Sequence, residues 1–159
     1  MTAGAGDLPE IRRANQRGAA RLGAVQALYQ MDVGEASLES TLKSFSEHVL
    51  GHEVEDAQYL PADADFFGQI VSGVVTSQLD IDPMIDANLP SDWPVTRIDA
   101  LLRAILRAAA FELLKRPDIP ARVVISEYLD VARAFYEGEV PGLVNGVLDA
   151  IARKTADRN

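Results

Sequence analysis

Residues 96–117 read TRIDALLRAILRAAAFELLKRP, and this stretch decides the fold class. Ile98, Leu101, Leu102, Ile105, Leu106, Ala109 and Leu113 recur at steps of three and four, the spacing that gathers side chains on one face of an α-helix. Both ends carry punctuation. Thr96-Arg97-Ile98-Asp99 has the form of a capping box, with Asp in the place Glu usually takes. Lys115 and Arg116 put positive charge where the helix dipole is negative, and Pro117 cannot continue the helix. A stripe this apolar is stable only when buried against other apolar faces, so the rest of the chain must supply them.

Working outward, nearly every segment reads as helix. From Ala19 to Met31 the chain is rich in Ala, Leu and Gln, with Leu22, Val25, Leu28, Tyr29 and Asp32 at helical spacing and Gly34 as the stop. Ser37 caps a second helix running to about Leu50, with Leu38, Leu42, Phe45 and Val49 inward. A polar, acidic loop follows from Gly51 to Pro61. A third helix starts at about Asp63 and turns Phe66, Phe67, Ile70, Val71, Val74 and Val75 inside. Pro83 marks the start of a short fourth helix that ends before Pro90, and Leu89 to Pro94 is a loop with two prolines. Beyond the helix quoted above, Pro120 opens a sixth ending near Glu137-Gly138, and a seventh runs from near Pro141 to about Ala156. Val123-Val124-Ile125 is β-prone but lies between helix signals, and no stretch alternates long enough to argue a sheet. The reading is all-α: a compact bundle of about seven helices, with a flexible arginine-containing arm over 1–18 and a single helical domain over 19–159.

Composition narrows the function. A chain of 159 residues, 48% of them hydrophobic, can bury a real core as one domain. It has no cysteine, which removes thiolate metal sites, disulfides and cysteine nucleophiles and suits a reducing cytoplasm. Met1 to Glu10 lack the apolar core of a signal peptide, and no apolar run is long enough to span a bilayer. Residues with the right chemistry for catalysis or metal binding are isolated. His48 and His52 are spaced i, i+4, but Gly51 interrupts that helix and no third ligand stands out. Asp80, Asp82 and Asp86 lack the glycine and the bidentate Glu of a calcium loop. Glu112, between Phe111 and Leu113, reads as a structural carboxylate paired with an arginine or a helix N-terminus. Phosphate-binding glycine loops and nucleophile elbows are missing. These observations favour a binding protein without cofactor or metal over an enzyme.

The net charge of −9 conceals a sharp asymmetry. Residues 11–31 hold Arg12, Arg13, Arg17 and Arg21 and no acid, so a +4 segment is joined to an acidic body. Guanidinium groups pair with phosphates and stack on bases, which makes the segment a candidate RNA site. Over residues 12–21 only Ala and Gly stand between the polar groups, so that part has little reason to be buried. One geometric difficulty accompanies this. On an unbroken helix, Ala24 and Leu28 fall on the arginine side. Either the arginines project past the helical body or Gly18 breaks the helix. An arm that orders on contact with RNA meets the difficulty.

Three strings then carry a family resemblance. Arg21 to Tyr29 (RLGAVQALY) resembles the opening helix of the NusB family, an arginine-rich run followed by A-V-Q-A-L-Y. Leu106 to Leu113 is similar to that family's L-R-x-A-x-[YF]-E-L helix, and Val144 to Asp149 to its V-N-G-V-L-D motif. They occur in the family's order and spacing. The resemblance implies an all-helical fold, binding of boxA-type single-stranded RNA, and a heterodimer with NusE, a small-subunit ribosomal protein. It also implies a place in the RNA polymerase antitermination complex, chiefly on ribosomal RNA operons. The family's RNA contacts map onto Arg12, Arg13, Arg17, Arg21 and Tyr29, and loosely onto the segment from Glu139 to Leu143. Two departures imply weak RNA binding by the chain alone. Gly18, Ala19 and Ala20 stand where some members have basic residues, and Leu143 stands where some have an aromatic. Asn145 and Gly146, poor helix formers inside a helix, read as packing devices: an amide for a nearby backbone group and a close helix approach. Two other readings stay open. One is a self-associating adaptor whose homodimer masks the arginines. The other is a detached accessory domain of an rRNA methyltransferase.

Overall fold

Six helices and no strand occur among the described residues of the computed structural model, which are 3–45 and 63–158, with side chains over 15–45 and 63–156. They are α1 (Ala3–Gly34), α2 (Leu38–Phe45), α3 (Ala64–Asn88), α4 (Ala100–Lys115), α5 (Ala121–Phe135) and α6 (Val140–Arg158). The all-α expectation holds, with six helices in place of about seven. The difference lies at Pro83, which sits inside α3 instead of opening a helix of its own. Proline removes the N–H that would reach the carbonyl of Leu79. Leu79 is 91% exposed, so water can serve that carbonyl, while the fully buried Ile81 and Ile85 hold the helix to the core on either side of the proline. No helix among the described residues is long and apolar enough to cross a membrane.

The chain groups into two compact units, Met1–Val71 and Ser72–Asn159, and α3 begins in the first and continues into the second. Charge and composition suggest a boundary at residue 18. The backbone shows no break there, because α1 is helical through Gly18.

In the first unit α1 packs against α2. The buried set is Ala20, Ala24, Val25, Ala27 and Leu28 on α1, Phe45 on α2, and Phe66, Phe67, Ile70 and Val71 at the start of α3. The Phe45 and Phe67 rings stack with centroids 5.6 Å apart. Ser37 caps α2 as its sequence position predicts, its hydroxyl oxygen accepting from the Ser40 N–H at 3.1 Å. The end of α1 differs from the expected glycine stop. Gly34 is still helical, and Glu35 takes the left-handed conformation with φ 55°. Val49, His48, His52 and the loop expected from Gly51 to Pro61 lie outside the described residues.

In the second unit α4, α5 and α6 pack pairwise. The apolar stripe of α4 is where its spacing puts it, with Leu102, Ile105, Leu106, Ala109 and Leu113 buried. Its N-cap is Asp99 and not Thr96: the Asp99 carboxylate accepts from the Leu101 and Leu102 N–H groups at 2.9 and 3.1 Å. The short aspartate reaches those amides from immediately outside the helix, so the capping box registers three residues too early. The helix ends where its punctuation predicts, at Lys115 before Pro117. Arg107 on α4 forks onto Asp82 on α3 through two hydrogen bonds of 2.9 and 2.8 Å. Glu112 is fully buried and accepts a hydrogen bond from the Tyr128 hydroxyl on α5. Val75, expected inside, is 40% exposed.

Candidate nucleic-acid interface

The geometric difficulty at the arginines resolves through packing that no local pattern specifies. Because α1 does not break, Arg13, Arg17 and Arg21 share a helical register with Ala24 and Leu28, at about 100° per residue. That side faces the core of the first unit, and the start of α3 meets it there. Asp63 donates its backbone N–H to the Gln16 carbonyl at 3.1 Å and caps α3 by accepting from the Phe66 N–H at 2.9 Å. The cap fixes the Phe66 ring against α1. The Arg17 and Arg21 guanidinium carbons lie 4.8 and 5.0 Å from its centroid, within cation–π range. Arg21 is only 3% exposed, so the expectation that nothing buries this segment is corrected at its last arginine. Arg17 is half-buried, and its Nε has no hydrogen-bond partner among the described residues. Arg12 and Arg13 stand on the backbone of α1, and their side chains lie outside the described set.

The opposite side of α1 is open. Leu22, Gln26, Tyr29, Gln30 and Val33 are all exposed and fall within about 100° of one another. Tyr29 keeps 39% of its surface in solvent, which suits stacking on a base. Thus Tyr29 and the two described arginines belong to opposite faces of one helix.

The remaining candidates belong to the second unit. Tyr136 follows α5, and its hydroxyl bridges both carboxylate oxygens of Asp99 at 2.8 Å, pinning the end of α5 to the start of α4. Gly138 then turns the chain with φ +70°, a conformation an L side chain rarely adopts. This delivers Glu139, which is exposed, to the mouth of α6, where its carbonyl accepts from the Leu143 N–H at 3.0 Å. Leu143 is half-buried. Asn145 and Gly146 are both exposed, and a Cβ built at Gly146 meets nothing within 4 Å. The packing role expected of Gly146 is therefore corrected. A glycine that does permit close approach is Gly73, where a Cβ would lie 2.1 Å from the Phe111 ring.

Asp82 and Asp86, two of the aspartates around Pro83, are each engaged within the fold. Asp82 is taken by Arg107, Asp86 accepts the Val95 N–H at 2.6 Å, and no cluster able to hold a metal ion occurs among the described residues. Sequence reasoning misses Phe66 and Asp63 as organisers of the arginine face. It also misses Gln26 and Gln30 as open positions. The helical wheel carries the second signal, but only for a helix known to be unbroken.

Comparison with known proteins agrees with this architecture. A model of the NusB family matches residues 18–153. The transcription antitermination protein NusB of Rhodopseudomonas palustris (strain BisB18) is 61% identical over 143 residues, covering 90% of this chain and 85% of that protein. Among solved structures, T. maritima NusB superposes with a TM-score of 0.73 at 28% identity, over 88% of this chain and 92% of that one. A structure of antitermination factors NusB and NusE in complex with dsRNA superposes with a TM-score of 0.72 over 87% of this chain and 97% of that one. At 24% identity, that last likeness bears on the fold alone.

Proposed function

The chain belongs to the NusB family, and from that premise we propose that it is an RNA-binding transcription antitermination factor. It recognises boxA-type single-stranded RNA together with NusE and promotes read-through in ribosomal RNA operons. The observation that carries this reading is the family match over 18–153, with a relative 61% identical that is named for antitermination. The acid-free, arginine-bearing α1 supplies a physical reason, since a polyanion meets no repulsion along residues 11–31 of an otherwise acidic chain.

The mechanism is binding without catalysis. Arg12, Arg13 and Arg17 neutralise phosphates, and Tyr29 offers a ring to an unstacked base. Arg21, held under Phe66, supports the site from within. Glu139, Leu143, Asn145 and Gly146 form a second candidate patch at the start of α6. Leu143 supplies no stacking ring there, so NusE completes what the chain alone binds weakly. Titration of a labelled boxA RNA tests the proposal. Affinity should rise when NusE is added and fall as salt increases. An affinity that moves with neither overturns it.

A further inference from the structure

We infer that Gln26 and Gln30, which share the open face of α1 with Tyr29, read base edges and make this strip the sequence-discriminating part of the RNA site. The inference rests on the RNA reading above and deepens it. Its first ground is geometric. Tyr29 and Gln30 stand at i+3 and i+4 from Gln26, the spacing at which each becomes a neighbour of Gln26 on the helix surface. All three are exposed, and Gln26 lies between Tyr29 and Gln30 around the helix.

The second ground is chemical. A carboxamide donates and accepts at once, which lets it pair with the mixed donor and acceptor edges of an unstacked base, while the Tyr29 ring on the same face stacks without regard to sequence. Arginines on phosphates hold the strand but carry no sequence information.

The third ground is the division of labour that the unbroken helix imposes. Arg17 and Arg21 turn to Phe66 on the far side, so Leu22, Gln26, Tyr29, Gln30 and Val33 leave the described part of the open face uncharged. Along the α1 backbone, residue 12 stands five full turns before residue 30, about 27 Å away. No carboxylate occurs from residue 11 to residue 31, which suits a polyanion along the whole strip. The occupant of the strip is therefore single-stranded RNA.

The test uses the full chain with NusE and two labelled RNAs, one containing boxA and one with the same bases shuffled. In the Gln26→Ala, Gln30→Ala double variant, the preference for the boxA RNA should fall about tenfold or more, the loss expected when bidentate base contacts are removed. Affinity for the shuffled RNA and the slope of affinity with salt should stay unchanged, since no charge is altered. Alanine favours helix at both positions, so circular dichroism should show an intact fold. A preference that survives the double substitution overturns the inference alone. So does weakened NusE binding with the RNA preference intact, which would make the strip a protein contact. Failure of the unsubstituted protein to bind either RNA overturns the RNA reading and this inference with it.

Discussion

The Arg21 guanidinium carbon lies 5.0 Å from the centroid of the Phe66 ring, and the side chain is 3% exposed. A residue that looks like a free cation in sequence is thus part of the packing of the first unit. Phe66→Leu removes the ring that holds both Arg17 and Arg21. It should cost about 1–3 kcal/mol of unfolding free energy, combining weaker packing with the absence of cation–π attraction. Arg21→Lys keeps the charge but removes the flat group over the ring, so it should also destabilise. Urea unfolding of the two variants measures both effects. Unchanged midpoints would remove Phe66 as an organiser.

Salt dependence separates the arginines by role. Removing one guanidinium–phosphate pair reduces the slope of log affinity against log salt by about one. Arg12→Ala, Arg13→Ala and Arg17→Ala should each lower the slope by about that amount. Arg21→Ala should lower stability while leaving the slope near that of the unsubstituted chain. A drop of a full unit of slope in Arg21→Ala would place that guanidinium on the RNA.

Gly73 and Phe111 are coupled through a missing side chain. A Cβ at position 73 would sit 2.1 Å from Phe111 Cε1, far inside contact distance. Gly73→Ala should destabilise by about 1–3 kcal/mol through overpacking. Combining it with Phe111→Leu should recover part of that stability, because the ring that clashes is gone. A double-mutant cycle in urea reads the coupling, and strict additivity would refute it.

Glu112 is fully buried and accepts a hydrogen bond from the Tyr128 hydroxyl, linking α4 to α5. Tyr128→Phe deletes one hydroxyl and leaves the carboxylate short of a donor where water cannot replace it. The expected cost is about 1–3 kcal/mol, well above that for an exposed tyrosine. Thermal melts of Tyr128→Phe beside Tyr29→Phe give the comparison, since Tyr29 is exposed. Equal melting temperatures would show the buried bond to be dispensable.

Gly146 sits in mid-helix, exposed, with nothing within 4 Å of its missing Cβ. Gly146→Ala should therefore stabilise the protein by about 0.5–1 kcal/mol, visible as a higher melting temperature. If the variant is instead destabilised, Gly146 has a structural role that its open surroundings do not reveal. A weaker affinity for boxA RNA in a stabilised variant would mark the site as one where RNA or NusE approaches the backbone.

Local physics makes much of this legible from the chain alone. The α4 stripe, the proline after its end, the Ser37 cap and the sheet-free pattern depend on neighbours three or four residues away, and all are present among the described residues. The three family strings likewise place the chain in its family. Features set by distant partners stay hidden. Pro83 remains in α3 because Ile81 and Ile85 are buried around it, and Gly73 is small because Phe111 lies against it. The arginines show the contrast most sharply. Their number and the absence of acids are properties of the sequence, whereas the direction each described one points is set when the cap at Asp63 seats Phe66 against an unbroken α1. Charge is written residue by residue, but burial is a property of what packs on top, and only the tertiary structure brings residue 66 to residues 17 and 21.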